Sequence, residues 1–144
     1  HQHMTPRAFA LAAHVDALCK HYRIGVHYQP GKAYAWQMER RIRVPPVGTD
    51  VSYAIALHEL GHILGKWQTR PLLISEVGAW RWAKGVALFW TPVMDGRMRD
   101  CLESYVHNAK VDHEMLPNAK HWLWTLLGRG PTDDERRLIR MGGM

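Results

Sequence analysis

The sequence predicts an α+β fold, mostly helical, with one small sheet near its N-terminus. Three observations carry that expectation. Long stretches repeat apolar residues at spacings of three and four, residues 24–44 switch to a period of two, and Pro-Gly and Pro-Pro pairs punctuate that interval. With 144 residues, 47% of them hydrophobic, the chain can bury one ordinary core. The expected order is an N-terminal helix, a small curled antiparallel sheet, an H-E-x-x-H helix packed on a second long helix, and further C-terminal helices.

Residues 1–4, HQHM, read as the remnant of an expression tag, which leaves 5–144 as a single domain and keeps two histidines out of any metal argument. Thr5-Pro6 reads as an N-cap followed by proline at the first helical position. The helix should continue over 8–22, with Phe9, Ala12, Ala13, Leu18 and Cys19 packing, and His14 and His21 as ordinary helix residues. From there Ile24, Val26 and Tyr28 alternate with Gly25, His27 and Gln29. Pro30-Gly31 marks a turn and period two resumes from Tyr34 to Met38, which predicts a hairpin. A third strand, 42–44, should end at Pro45-Pro46, because proline cannot donate to a ladder.

The next helix spans 51–65, VSYAIALHELGHILG, capped by Thr49 or Asp50 and stopped at Gly65. Ala54, Leu57, Gly61 and Leu64 line one face, while Tyr53, Ile55, Leu60 and Ile63 make the others apolar, so the helix should be buried. A polar connection over 66–71, with Trp67 packing, leads to a second long helix over 72–90. Helices are expected over 97–110 and 116–127, and Thr132-Asp133-Asp134-Glu135 opens a short last one. Trp122 and Trp124 read as core or as a partner surface, and 142–144 should fray.

His58, Glu59 and His62 carry the chemistry. A helix turns about 100° per residue, so two histidines four apart stand one above the other, about 6 Å along the axis, and can grip one ion. Glu59 lies beside them, badly aimed to be a ligand but placed to take a proton from an activated water. That division of labour predicts a zinc hydrolase. The third ligand should come from elsewhere, and Glu76 in SEVGAW is the leading candidate. A second helix folded back antiparallel would bring its carboxylate opposite the imidazoles, with Trp80 one turn on holding that face to the core. The competing reading makes Glu76 a first-turn acid favoured by the helix dipole. His58 to Gly65 also opens a metzincin pattern, whose third histidine would stand three residues beyond the glycine. Gln68 occupies that position, which argues against this subclass.

Other features limit the alternatives. The net charge of +6 is spread over scattered basic residues, with clusters at Arg40, Arg41 and Arg43 and at Arg136, Arg137 and Arg140. Neither forms a recognisable nucleic-acid module, and solvated faces explain both. Cys19 and Cys101 are too few for a disulfide framework or a cysteine zinc site, so a reducing compartment is expected. No apolar run could cross a membrane and no secretory pattern opens the chain, so the expectation is a soluble, cytoplasmic protein.

The order of a helix, short strands ending in IRVPP, then AIALHELGHILG, then SEVGAWRWA resembles the small ImmA/IrrE-type zinc metallopeptidases over roughly the first ninety residues. These are common in bacteria, phages and mobile elements. The resemblance implies a minimal zincin of gluzincin-like build, with His58, His62 and Glu76 holding Zn2+ and Glu59 as general base. It also implies a protein or peptide substrate, often a transcriptional repressor. The second helix departs from the family's usual E-x-x-A-N-x-F-A pattern, since Trp80 and Trp82 stand where asparagine and phenylalanine are usual. The expected reaction is metal-assisted peptide hydrolysis, with Tyr105, His107 and His113 as alternative donors to the oxyanion. Two other classes compete: a zinc-stabilised binding protein without turnover, and a basic nucleic-acid-associated factor.

Overall fold

The computed structural model describes residues 4–142, so most of the expected tag remnant and the final two residues of the expected frayed end lie outside it. Its architecture is α+β, six helices around one three-stranded sheet. Helix α1 (Pro6–His21) starts where Thr5 Oγ1 accepts from the Ala8 amide, with Pro6 at the first position. Its buried stripe is Ala8, Leu11, Val15 and Cys19. Of the residues expected to pack, Cys19 is buried and Ala12 and Leu18 are partly so, whereas Ala13 is exposed and Phe9 is 66% exposed. The stripe runs one residue to the side of the expected one, through Leu11 and Val15.

The strands are β1 (Gly25–Tyr28), β2 (Tyr34–Trp36) and β3 (Arg41–Val44). The sheet is mixed, in the order β1-β3-β2, with β3 parallel to β1 and antiparallel to β2. The expected hairpin between the first two strands is therefore not formed, and the sheet is not purely antiparallel. Alternation shows which residues share a face but not which strand lies alongside. The tight turn follows β2 instead, where the Arg40 amide bonds the Gln37 carbonyl and Arg40 adopts φ 50°. That turn folds β3 into the centre, where Ile42 and Val44 are fully buried. Pro45-Pro46 follows it directly, as expected.

Helix α2 (Asp50–Leu64) begins in a capping box: Thr49 Oγ1 accepts from the Ser52 amide, and Ser52 Oγ accepts from that of Thr49. Tyr53, Ala54, Ala56, Leu57 and Leu60 are fully buried on it. The Tyr53 hydroxyl shares a hydrogen bond with His14 Nδ1 at 2.5 Å and accepts from the Leu88 amide at 3.0 Å. His14 thus fastens α1 to α2. Helix α3 (Leu72–Val86) ends four residues sooner than expected, because Thr91 and Pro92 cap and start the long helix α4 (Pro92–Val111). The short helix α5 (Trp122–Leu127) also begins later than expected. Pro117 keeps Leu116 out of helical geometry, a turn at Asn118 follows, and His121 sets the start as N-cap, its Nδ1 accepting from the Leu123 amide. Trp124 is buried, its indole bonded to the Asn118 carbonyl, and Trp122 is 41% exposed beneath the Arg81 guanidinium.

Helix α6 (Asp133–Gly142) is anchored by Glu135, which is 2% exposed. Its carboxylate accepts from Arg129 at 2.7 and 3.1 Å and from the Thr132 amide at 2.8 Å, with Lys110 at 3.6 Å. Burial alone would raise this carboxyl. The hydrogen bonds and charge of its partners outweigh that and bring it from 4.5 to about 2. A carboxyl depressed on folding contributes stability above its unfolded pKa and loses it as pH falls through the folded one. Glu135→Gln should therefore cost about 2–3 kcal/mol near neutrality. In urea unfolding, the advantage of the native residue should shrink between pH 4.5 and about 2. A gap that stays constant over that window would show that the charge contributes nothing.

Candidate metal centre

The site forms where α2 and α3 cross at a distance that only glycines permit. A Cβ on Gly61 would run into the Ala79 carbonyl, and one on Gly78 into the Lys66 carbonyl. A Cβ on Gly65 would stand 2.5 Å from the Gly61 carbonyl and 2.6 Å from that of Gly78. The resulting contact puts Glu76, in the second turn of α3, against the histidine face of α2. Glu76 Oε1 lies 2.8 Å from His58 Nε2, and Oε2 lies 2.7 Å from His62 Nε2. One carboxylate thus spans both imidazoles. Trp80 backs this arrangement: its indole stacks on His58 with ring centroids 4.0 Å apart and planes 9° from parallel.

Gln68 fixes the orientation of His62. Its amide nitrogen donates to the carbonyls of Lys66 and Ser75, each at 2.8 Å, which assigns the amide and leaves Oε1 to accept from His62 Nδ1 at 2.9 Å. With its proton on Nδ1, a neutral His62 presents the lone pair of Nε2 to a carboxylate oxygen. Two acceptors 2.7 Å apart need a proton or a cation between them. Protein groups alone solve this by charging the ring. Burial pulls His62 down, but the hydrogen bond and charge of Glu76, with help from Gln68 and Glu59, outweigh it and hold the ring above its ordinary pKa. Burial likewise pushes Glu76 up, and its bonds to His58 and His62 more than reverse that, to about 2.

Glu59 lies beside the cluster, its Oε2 3.7 Å from His58 Nδ1. Burial, with the Glu76 charge, raises its pKa, and the histidines oppose the rise. Among the described residues no lysine or arginine pairs with Glu59 or Glu76, although both are more than nine-tenths buried. Two buried carboxylates without a permanent cation and two imidazoles turned toward one of them make a donor set suited to a divalent metal. His58, Glu76 and Cys101 bring one donor atom each within 4.8 Å of one another and could hold a metal ion.

Cys101 is an addition to the expected set. Its thiol, on α4, points at Glu76 Oε1 from 3.6 Å. Two cysteines cannot make an all-cysteine site, but one of them joins this mixed one. No sequence spacing signals it, because α4 returns to the site 25 residues after Glu76. Gln68 was legible only as a missing histidine, since its function depends on which carbonyls surround its amide.

The cluster faces a cleft of about 680 Å3, lined also by Gln68, Arg70 and Tyr105. Every residue from 33 to 39 lines it too. Successive side chains of a strand point to opposite faces, so an unbroken run presents an edge, here the unpaired side of β2. Of the three expected oxyanion donors, Tyr105 lines the cleft, whereas His107 and His113 are exposed outside its lining. Burial, and then the charges of Glu76, Cys101 and Glu59, keep the Tyr105 phenol above its ordinary pKa and hence a donor. The chain matches no family model, no curated protein and no solved structure. No helix among the described residues is long and apolar enough to cross a membrane.

Proposed function

We propose that the protein is a zinc-dependent peptidase. The observation that carries this reading is Glu76, which reaches from a separate helix to within 2.8 and 2.7 Å of the Nε2 atoms of both H-E-x-x-H histidines. His58, His62 and Glu76 would hold the ion, with Gln68 orienting His62 and Trp80 orienting His58. Zinc bound there supplies a Lewis acid that lowers the pKa of a water towards about 7 and polarises a carbonyl.

Glu59 takes a proton from the attacking water and returns it to the leaving nitrogen. Its burial suits that duty, since burial raises its pKa and so strengthens it as a base. Tyr105 donates its hydroxyl hydrogen to the oxygen that gains negative charge. The free edge of β2 takes the substrate backbone as an added strand, using its unpaired amides and carbonyls across the cleft. That mode demands an extended, unfolded segment, so the substrate is a flexible part of a protein. The resemblance to ImmA/IrrE-type peptidases makes a transcriptional regulator, met in the cytoplasm, the first class to try.

Incubation with unfolded proteins and with regulators encoded beside it should yield fragments, and 1,10-phenanthroline should abolish their formation until zinc is restored. Cleavage that persists undiminished in the chelator would overturn the zinc assignment. Zinc-loaded protein that cleaves none of these substrates would favour the binding-protein alternative.

A further inference from the structure

We propose that Cys101 is a fourth protein ligand of this metal, its sulfur closing the site in the position that a hydrolytic zinc leaves to water. The inference rests on the metal-site reading above and deepens it, because a site with four protein ligands is held at rest until the sulfur leaves. Three protein ligands and one open position mark hydrolytic zinc sites, and four mark closed ones.

The first observation is position. Cys101 Sγ lies within 4.8 Å of the donor atoms of His58 and Glu76, and its hydrogen is directed at Glu76 Oε1, the oxygen that also meets His58 Nε2; His62 is not one of that group of three and reaches the site at the other oxygen, Oε2. Cys101 lines both the main cleft and a second cavity of about 470 Å3 bounded by His58, Glu59 and Trp80. Sulfur therefore stands at the wall between the two, beside the general base.

The second observation is independent. Trp80 is 1% exposed, and its indole Nε1 has no hydrogen-bond partner. A buried N–H without an acceptor is costly and rare. Trp80 and Cys101 line the same cavity. A thiol is a weak acceptor and a thiolate a strong one, so ligation would supply what Trp80 lacks. In that step the S–H bond breaks, its proton passes to solvent, a metal–sulfur bond forms, and the water in the fourth position is released. No oxidant or reductant is required.

Zinc-edge X-ray absorption on the zinc-loaded full chain tests this without any variant: a sulfur scatterer at about 2.3 Å is expected beside the nitrogen and oxygen shell. The cobalt(II)-substituted chain should add a near-ultraviolet sulfur-to-cobalt band. Cys101→Ser should remove that band and keep the visible cobalt bands, whereas Cys19→Ala should keep both. If Cys101→Ser does not fold, the absorption-edge result on the native chain decides. A shell of nitrogen and oxygen alone, with metal that His58→Ala still abolishes, would overturn the sulfur ligand and leave the peptidase reading standing. A chain that binds neither metal would remove both.

Discussion

Glu59→Gln should lower peptide hydrolysis by about 100-fold or more while the metal stays bound. The amide keeps the size and shape of the carboxylate but cannot take a proton from water. Glu59 Oε2 sits 3.7 Å from His58 Nδ1, whereas Glu76 is the carboxylate that meets the Nε2 atoms of both histidines, so Glu59 can change without removing a donor to the ion. Metal content and turnover should therefore separate. If the variant cleaves as fast as the native protein, Glu59 is not the base, whatever metal is present.

Glu76→Ala should instead make the two fall together. Losing a partner that merely orients a ligand costs roughly 10–100-fold in metal affinity. Glu76 meets His58, His62 and Cys101 at once, so its removal should cost more than that. Glu103→Ala and Asp95→Ala serve as controls, because those carboxylates bind Arg129 and Arg99 away from the site. Competition against a chromophoric chelator measures all three. Equal affinities across them would exclude Glu76 from the metal centre.

The sequence exposed some parts of this arrangement more readily than others. Local signals were enough for α1 and α2, where Thr5-Pro6 and the Thr49–Ser52 pair announce helix starts through bonds to amides three residues away. Spacing alone also placed His58, Glu59 and His62 on one turn. Glu76 required a guess about tertiary contact. The glycines that let the helices touch read from sequence only as a helix stop at Gly65 and as small residues at 61 and 78. Strand pairing was hidden for a different reason: alternation in β1 and β2 is satisfied equally by a hairpin and by β3 inserted between them. Gln68 and Cys101 were the least visible, because an amide acquires its direction from the carbonyls of Lys66 and Ser75 and a thiol acquires its partner from helix packing.

Zinc bound by His58, His62 and Glu76 underlies each of these expectations. The chain should be prepared from Thr5 onward, so that His1 and His3 contribute nothing, then loaded with zinc, dialysed against a weak chelator and analysed for metal by mass spectrometry. About one zinc per chain is expected, lost from both His58→Ala and His62→Ala. Protein that emerges metal-free, or that retains its zinc in both variants, would contradict it.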